Sequence, residues 1–291
     1  ALDPVIAQRL ADHPPNPTAA LLNIKVIDPA CGSGHFLLAA ARRLAETLAV
    51  LRSAEGAVKP QDYRHALREV ISHCIFGVDR NPMALELCRT ALWLEGFEEG
   101  RPLSFLDHHL HCGDALLGLT DLNALATGIP AAAFKPLSGD DKAICQQLAK
   151  DNKAGLNALE KQRNHPNFNL ALETAAGLSE LQALEALPED TPQDIAHRAA
   201  AYAAFQHQAA GSRLAHAADL LLGAFVLPKT AASAAQIPTS QTLYLELFTD
   251  QRSAQHEQQL QAARDACRAA RVLHWPLAFP QVFSQGGFDC V

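Results

Sequence analysis

The 291 residues are 48% hydrophobic, 19% charged and 6% aromatic, with 24 basic against 31 acidic side chains and a net charge of -7. A chain this apolar can bury a full core and is not disordered. The acidic excess excludes a wholly basic nucleic-acid binder, though not a local basic face. The low aromatic content points to Ala- and Leu-rich helices rather than an all-β sandwich.

In chain order, Val5, Ile6 and Leu10 give helical spacing over residues 5–22, broken at Pro14, Pro15 and Pro17. Residues 22–27 form a short apolar run that ends at Asp28-Pro29 and predicts a buried strand. Ala30-Cys31-Gly32-Ser33-Gly34 is a turn of small residues. A helix is expected from His35, with Phe36, Leu37, Ala40, Ala41, Leu44, Leu48 and Leu51 on one face. Residues 61–71 predict a second helix and 74–78 a second buried strand ending at Asp79. Asn81 and Pro82 then suit the cap and first turn of another helix. A third strand over 106–112 ends at Gly113-Asp114. This alternation is a parallel α/β pattern, and such sheets bind ligands at the carboxyl ends of their strands, where Asp28, Asp79 and Asp114 fall.

After Leu119 the composition turns to Ala, Gln and Leu. Helices are expected near 141–163, 168–186, 191–223 and 251–272, with 244–248 ambiguous. Residues 288–291 read as the opening of another strand. The expected organisation is therefore a first sheet part over 1–119, a helical insertion over 120–272 and a return to the sheet over 273–291. The chain starts without Met in a helical pattern and stops inside a strand pattern, so it reads as part of a longer protein.

Seven cysteines lie scattered and never as CxxC, which fits neither a disulfide framework nor a zinc ribbon; buried thiols of a cytoplasmic protein are expected. No leader pattern opens the chain and no run of 18 apolar residues exists, so no membrane partner is expected. His108, His109, His111 and Cys112 invite a metal reading. A single strand offering two ligands on one face is thin for zinc, so no metal is expected there. Insert cations such as Arg198, Arg213, Arg252 and Arg268 are candidates for phosphate contacts, with a solvated helical face the plainer reading. Cys31 stands at a helix N-terminus, where a thiolate is stabilised, but no partner base follows it.

The chemistry concentrates in the glycine turn. Gly32 and Gly34 let a ligand approach the backbone, and the following helix start offers unpaired N–H groups. A dinucleotide fingerprint would need glycine where Leu37 stands, and a phosphate-binding Gly-Lys-Ser/Thr is missing. A carboxylate at Asp79 suits ribose hydroxyls, and one at Asp114 suits an exocyclic amine. Together these describe a site for a nucleoside with a small polar appendage, which S-adenosylmethionine matches.

The string Asp28-Pro29-Ala30-Cys31-Gly32-Ser33-Gly34-His35-Phe36-Leu37 closely resembles motif I of class I S-adenosylmethionine-dependent DNA methyltransferases of the adenine-N6 type. Residues 77–82 resemble motif II, 111–116 motif III and 274–291 the lead-in to motif IV, most closely as in type IIG restriction–modification and phage-defence methylases. The resemblance implies a doubly wound Rossmann-like sheet interrupted by a large helical insertion. It implies that Asp28 and the 29–36 loop hold the methionine part of the cofactor, Asp79 with Arg80 the ribose and adenine, and Asp114 with Ala115 the adenine amine. It implies double-stranded DNA as partner, bound mostly through regions outside these residues, and a fused or partner nuclease. Arg80 departs from the family's apolar residue, so its stem or guanidinium plane would cover the adenine. The catalytic Asn/Asp-Pro-Pro-aromatic motif, which takes the flipped base, occurs nowhere in the 291 residues. These residues alone are therefore expected not to methylate DNA. A protein-glutamine or RNA methyltransferase, and a cofactor-binding module without catalysis, are the alternatives.

Overall fold

A computed structural model describes residues 1–53, 57–163, 170–250 and 252–291. The chain divides into two compact units. The first comprises Ala1–Ala115, Glu180–Ala204 and Gln281–Val291, the second Leu116–Ser179 and Phe205–Pro280. The stretch 180–204, inside the predicted insertion, thus counts with the first unit.

The first unit is a mixed α/β body built on a parallel sheet in the order β1 (Val26–Asp28), β2 (Ile75–Asp79), β3 (Leu110–Cys112). Val26 pairs with Ile75 and Asp28 with Gly77; Gly77 pairs with Leu110 and Asp79 with Cys112. On the free side of β1, Cys290 makes a parallel bridge to Val26, and its carbonyl accepts from Ile27 N–H at 3.0 Å. The chain therefore runs outward through β2 and β3 and returns on the other side of β1. That reversal of strand order is where open α/β sheets form their binding crevice.

Helices α1 (Leu2–Asp12) and α2 (Pro17–Leu22) precede β1, and the Asn16 side chain caps α2 with Pro17 in its first turn. The predicted strand over 22–27 is shorter and later, because Leu22 still closes α2 and ladder bonding starts only where β2 lies alongside. Helix α3 (His35–Arg52) buries Leu37, Ala41, Leu44, Ala45 and Leu48, a stripe of helical period. It packs against α4 (Pro60–Cys74), which buries Leu67, Val70 and Ile71. Helix α5 (Pro82–Glu95) starts where predicted, with Asn81 Oδ1 accepting from Met83 N–H at 3.0 Å. Strand β3 is also shorter than predicted: His109 N–H bonds to Leu106 O, so 106–109 is a turn.

After a short α6 (Asn123–Thr127), the second unit draws on α7 (Lys142–Arg163), the first part of α8 (Leu170–Glu185) and the end of α9 (Pro192–Ala210). It continues with α10 (Arg213–Val226), α11 (Ser240–Phe248), α12 (Ala254–Ala270) and the short α13 (Trp275–Ala278). The predicted helix over 191–223 is two helices, since Gly211 and the capping Ser212 break it. The ambiguous 244–248 is helical, started by a capping box between Thr239 and Thr242. Among the described residues this unit holds no strand. Several of its buried polar side chains pair inside it. Asn152 donates to Ile129 O and accepts from Ser240 N–H, both at 2.8 Å. Buried Glu246 accepts from His216 Nδ1, His256 Nε2 and Arg252 at 2.8–2.9 Å.

Candidate functional site

The glycine turn joins β1 to α3 and is tied to the sheet, with Cys31 N–H bonded to Val78 O at 3.0 Å. Gly32 and Gly34 have φ of +53° and +85°, the left-handed region that favours glycine. A Cβ on Gly34 would lie 2.7 Å from Cys88 Sγ, whereas one on Gly32 would meet nothing within 4 Å. The two glycines therefore differ in what they leave room for: Gly34 admits α5, and Gly32 faces open space. Gly34 is the N-cap of α3 and no side chain caps that helix, so its first N–H groups keep their capacity for an acceptor.

Asp79 closes β2 beside this turn. Its two oxygens accept from Gly32 N–H at 2.9 Å and Asn81 N–H at 2.7 Å. A carboxylate has about four acceptor positions, so each oxygen keeps one for a ligand hydroxyl. Asp28 Oδ1 accepts from Ala30 N–H at 3.0 Å and shapes the turn's entry through Pro29. Ser33 Oγ and His35 Nδ1 are 2.9 Å apart on the outer side. Phe36 is 81% exposed, an unusual position for an aromatic ring. It lines a cavity of about 570 Å³ with Asp28, Pro29, Ala40, Cys290 and Val291. Leu2 and Asp3 of α1 and Arg43 of α3 form its other walls.

At the end of β3, Asp114 lies 3.6 Å from the Arg80 guanidinium, with Ala115 next in the chain. The structure thus brings the 28–36 turn and Asp79 into direct contact, and couples Asp114 to Arg80. The Cys31 thiol is pushed up by its hydrogen bond with Cys88 and by burial, the opposite of the shift a nucleophilic thiolate needs. All seven cysteines are free, five of them buried.

Several insert cations are engaged elsewhere. Arg198 is buried and donates to the carbonyls of Leu184, Glu185 and Leu187. Arg213 pairs with Asp250, Arg252 with Glu246 and Arg268 with Asp265. The histidines are not where the strand reading put them. His108 and His109 precede β3, both are buried, and they meet Glu185 of α8, so that ligating atoms of all three lie within 4.8 Å of one another. No local spacing pairs residue 185 with 108; the meeting depends on where α8 packs.

The family described as the DNA-methyltransferase domain of MmeI matches residues 15–127, and the Eco57I restriction-modification methylase family matches residues 73–291. A protein of Methanocaldococcus jannaschii named "Putative type II restriction enzyme and methyltransferase" is 30% identical over 119 residues. The match covers 34% of this chain and 9% of that protein, so the chain spans a small part of its relative. No solved structure matches.

Proposed function

The chain belongs to the Eco57I restriction-modification methylase family, and from that premise we propose that it is the cofactor-binding part of a DNA methyltransferase that uses S-adenosylmethionine to methylate adenine at N6. The observation that carries this reading is the Asp79 carboxylate, which holds the Gly32 N–H while keeping acceptor capacity toward the open side of the turn. The proposed sheet is doubly wound, with 120–272 inserted in sequence before the chain returns at Cys290.

In this reading the N-terminus of α3 and the turn from Asp28 to Phe36 receive the amino-acid end of the cofactor. A helix N-terminus favours a carboxylate by dipole and by unpaired N–H groups. Asp79 accepts from both ribose hydroxyls. Asp114 takes the adenine amine with Ala115 beside it, sharing its charge with Arg80, whose stem covers the ring. The bound cofactor supplies a methyl group on a sulfonium, ready for transfer. Phe36, Asp28 and Pro29 line the cavity at this end of the ligand. Acceptors that orient the target amine are assigned to a motif outside these 291 residues. The partner is double-stranded DNA, in a cytoplasmic system with a fused or partner nuclease. The relative's name joins restriction and methylation in the same way. Among the described residues no helix is long and apolar enough to cross a membrane.

The test is transfer of labelled methyl from S-adenosylmethionine to duplex DNA by the full-length protein, followed by digestion to nucleosides. Label in N6-methyladenine is expected. Label in a cytosine product would overturn the base assignment, and label only in RNA or protein would overturn the DNA assignment.

A further inference from the structure

We propose that His108, His109 and Glu185 form a binding site for a divalent transition metal of the zinc class, at the end of the sheet opposite the glycine turn. Two imidazoles and a carboxylate are a donor set suited to zinc, which takes nitrogen and oxygen ligands at about 2.0–2.2 Å. The site goes beyond the methyltransferase reading and does not depend on it.

The geometry of His109 fixes its chemistry. Its Nδ1 lies 2.9 Å from Ile75 O, and a carbonyl can only accept, so Nδ1 carries the proton. Nε2 is then the lone-pair nitrogen. Ligating histidines are held in this way by a carbonyl on the far ring nitrogen. The ring is further fixed by stacking on Phe76 at 4.0 Å between centroids. His108 stacks on Phe105 at 5.5 Å, and its centroid is 4.1 Å from that of His109.

Glu185 closes the set from α8. Its Oε1 is 3.9 Å from His108 Nε2, too far for a hydrogen bond, and His108 Nδ1 is buried without a partner. A buried imidazole left with neither nitrogen partnered costs stability unless something joins it to the half-buried Glu185. Tetrahedral coordination would place ligand atoms roughly 3.3–3.5 Å apart, so the three must close by about 1 Å.

A cavity of about 410 Å³ borders the cluster and leaves room for a further ligand. Gln281 lines it, 6% exposed, with both amide atoms buried and unpartnered. An amide donor and acceptor in that position suit a metal-bound water. The cations in the same wall are already engaged: Lys25 Nζ donates to His73 O at 2.7 Å, and Arg198 serves the carbonyls at the end of α8. The ion would pin Glu185 to the turn before β3, a join between segments about 75 positions apart in sequence.

The test uses the full-length protein, stripped with a chelator and titrated with zinc chloride by calorimetry and with cobalt(II) chloride by visible absorption. Wild type is expected to bind one ion with the intense absorption of four-coordinate cobalt, and its melting temperature should rise with zinc. Glu185→Gln, at a one-third exposed side chain that can keep its fold, and His108→Gln should each weaken affinity by at least about 100-fold, the upper end of what outer-shell partners cost. No stoichiometric binding by folded wild type would overturn the site. So would equal affinity in wild type and both variants, which would place the ion elsewhere.

Discussion

The two units differ in how they use their carboxylate and amide acceptors. In the helical unit the buried acceptors are taken up inside the unit: Glu246 is shared by His216, His256 and Arg252, and Asn152 bridges Ile129 and Ser240. In the sheet unit the carboxyl ends of the strands hold acceptors with capacity left over, beside a turn that opens outward at Gly32. The first arrangement is what stability requires of buried polar groups. The second is what a binding site requires, because a ligand needs groups that are aimed but not saturated. Substitutions in the helical unit should therefore move stability, and those at the strand ends should move affinity.

The largest effect should come from Glu246→Gln. Breaking a buried ion pair by removing one partner costs about 3–5 kcal/mol, so thermal or urea unfolding of the full-length protein should show a loss of that size. Cofactor affinity, measured where the variant is still folded, should not change. A loss of affinity without a loss of stability would break the division between the units. The same network predicts an acid limit. Burial raises the Glu246 pKa, but the His216 and His256 hydrogen bonds and Arg252 outweigh it and hold the carboxyl below its usual value. A folded pKa below the unfolded one, about 4.3, gives stability that is present above that pH and lost as pH falls through the folded value. Unfolding followed from pH 6 to pH 3 should show this loss in wild type and a weaker one in Glu246→Gln.

Gly34→Ala should come next. A side chain at φ +85° costs about 1–3 kcal/mol, and its Cβ would also meet Cys88 Sγ at 2.7 Å. Both melting temperature and cofactor affinity should fall. Gly32→Ala separates the two: its Cβ meets nothing within 4 Å, so only strain of about 1 kcal/mol reaches stability. The methyl group stands on the open side, so S-adenosylmethionine affinity should fall at least about tenfold, a larger share than the stability change explains. An unaltered titration curve for a folded Gly32→Ala would mean that the ligand approaches from elsewhere.

The sheet end of the molecule was legible from sequence because its signals are local. A small-residue turn between an apolar run and a helix, and acids two residues after Gly77 and one after Gly113, need no knowledge of what packs where. Strand limits were less legible, since β1 and β3 extend only over the three positions at which each pairs with β2. The break at Gly211-Ser212 was visible as residues but masked by an apolar, Ala-rich period on both sides. The meeting of His108 and His109 with Glu185, and the burial of Arg198, were not legible at all. Both depend on tertiary packing of α8 and α9, and a charge on a helical repeat looks the same whether it faces solvent or a set of carbonyls.

The most direct test of the central claim is calorimetric titration of the full-length protein with S-adenosylmethionine, wild type against Asp79→Ala. Each hydrogen bond to a charged group is worth roughly 1.5–3 kcal/mol, so losing the ribose contacts should weaken binding by at least about tenfold while the variant stays folded. Equal affinities in two folded proteins would contradict the account.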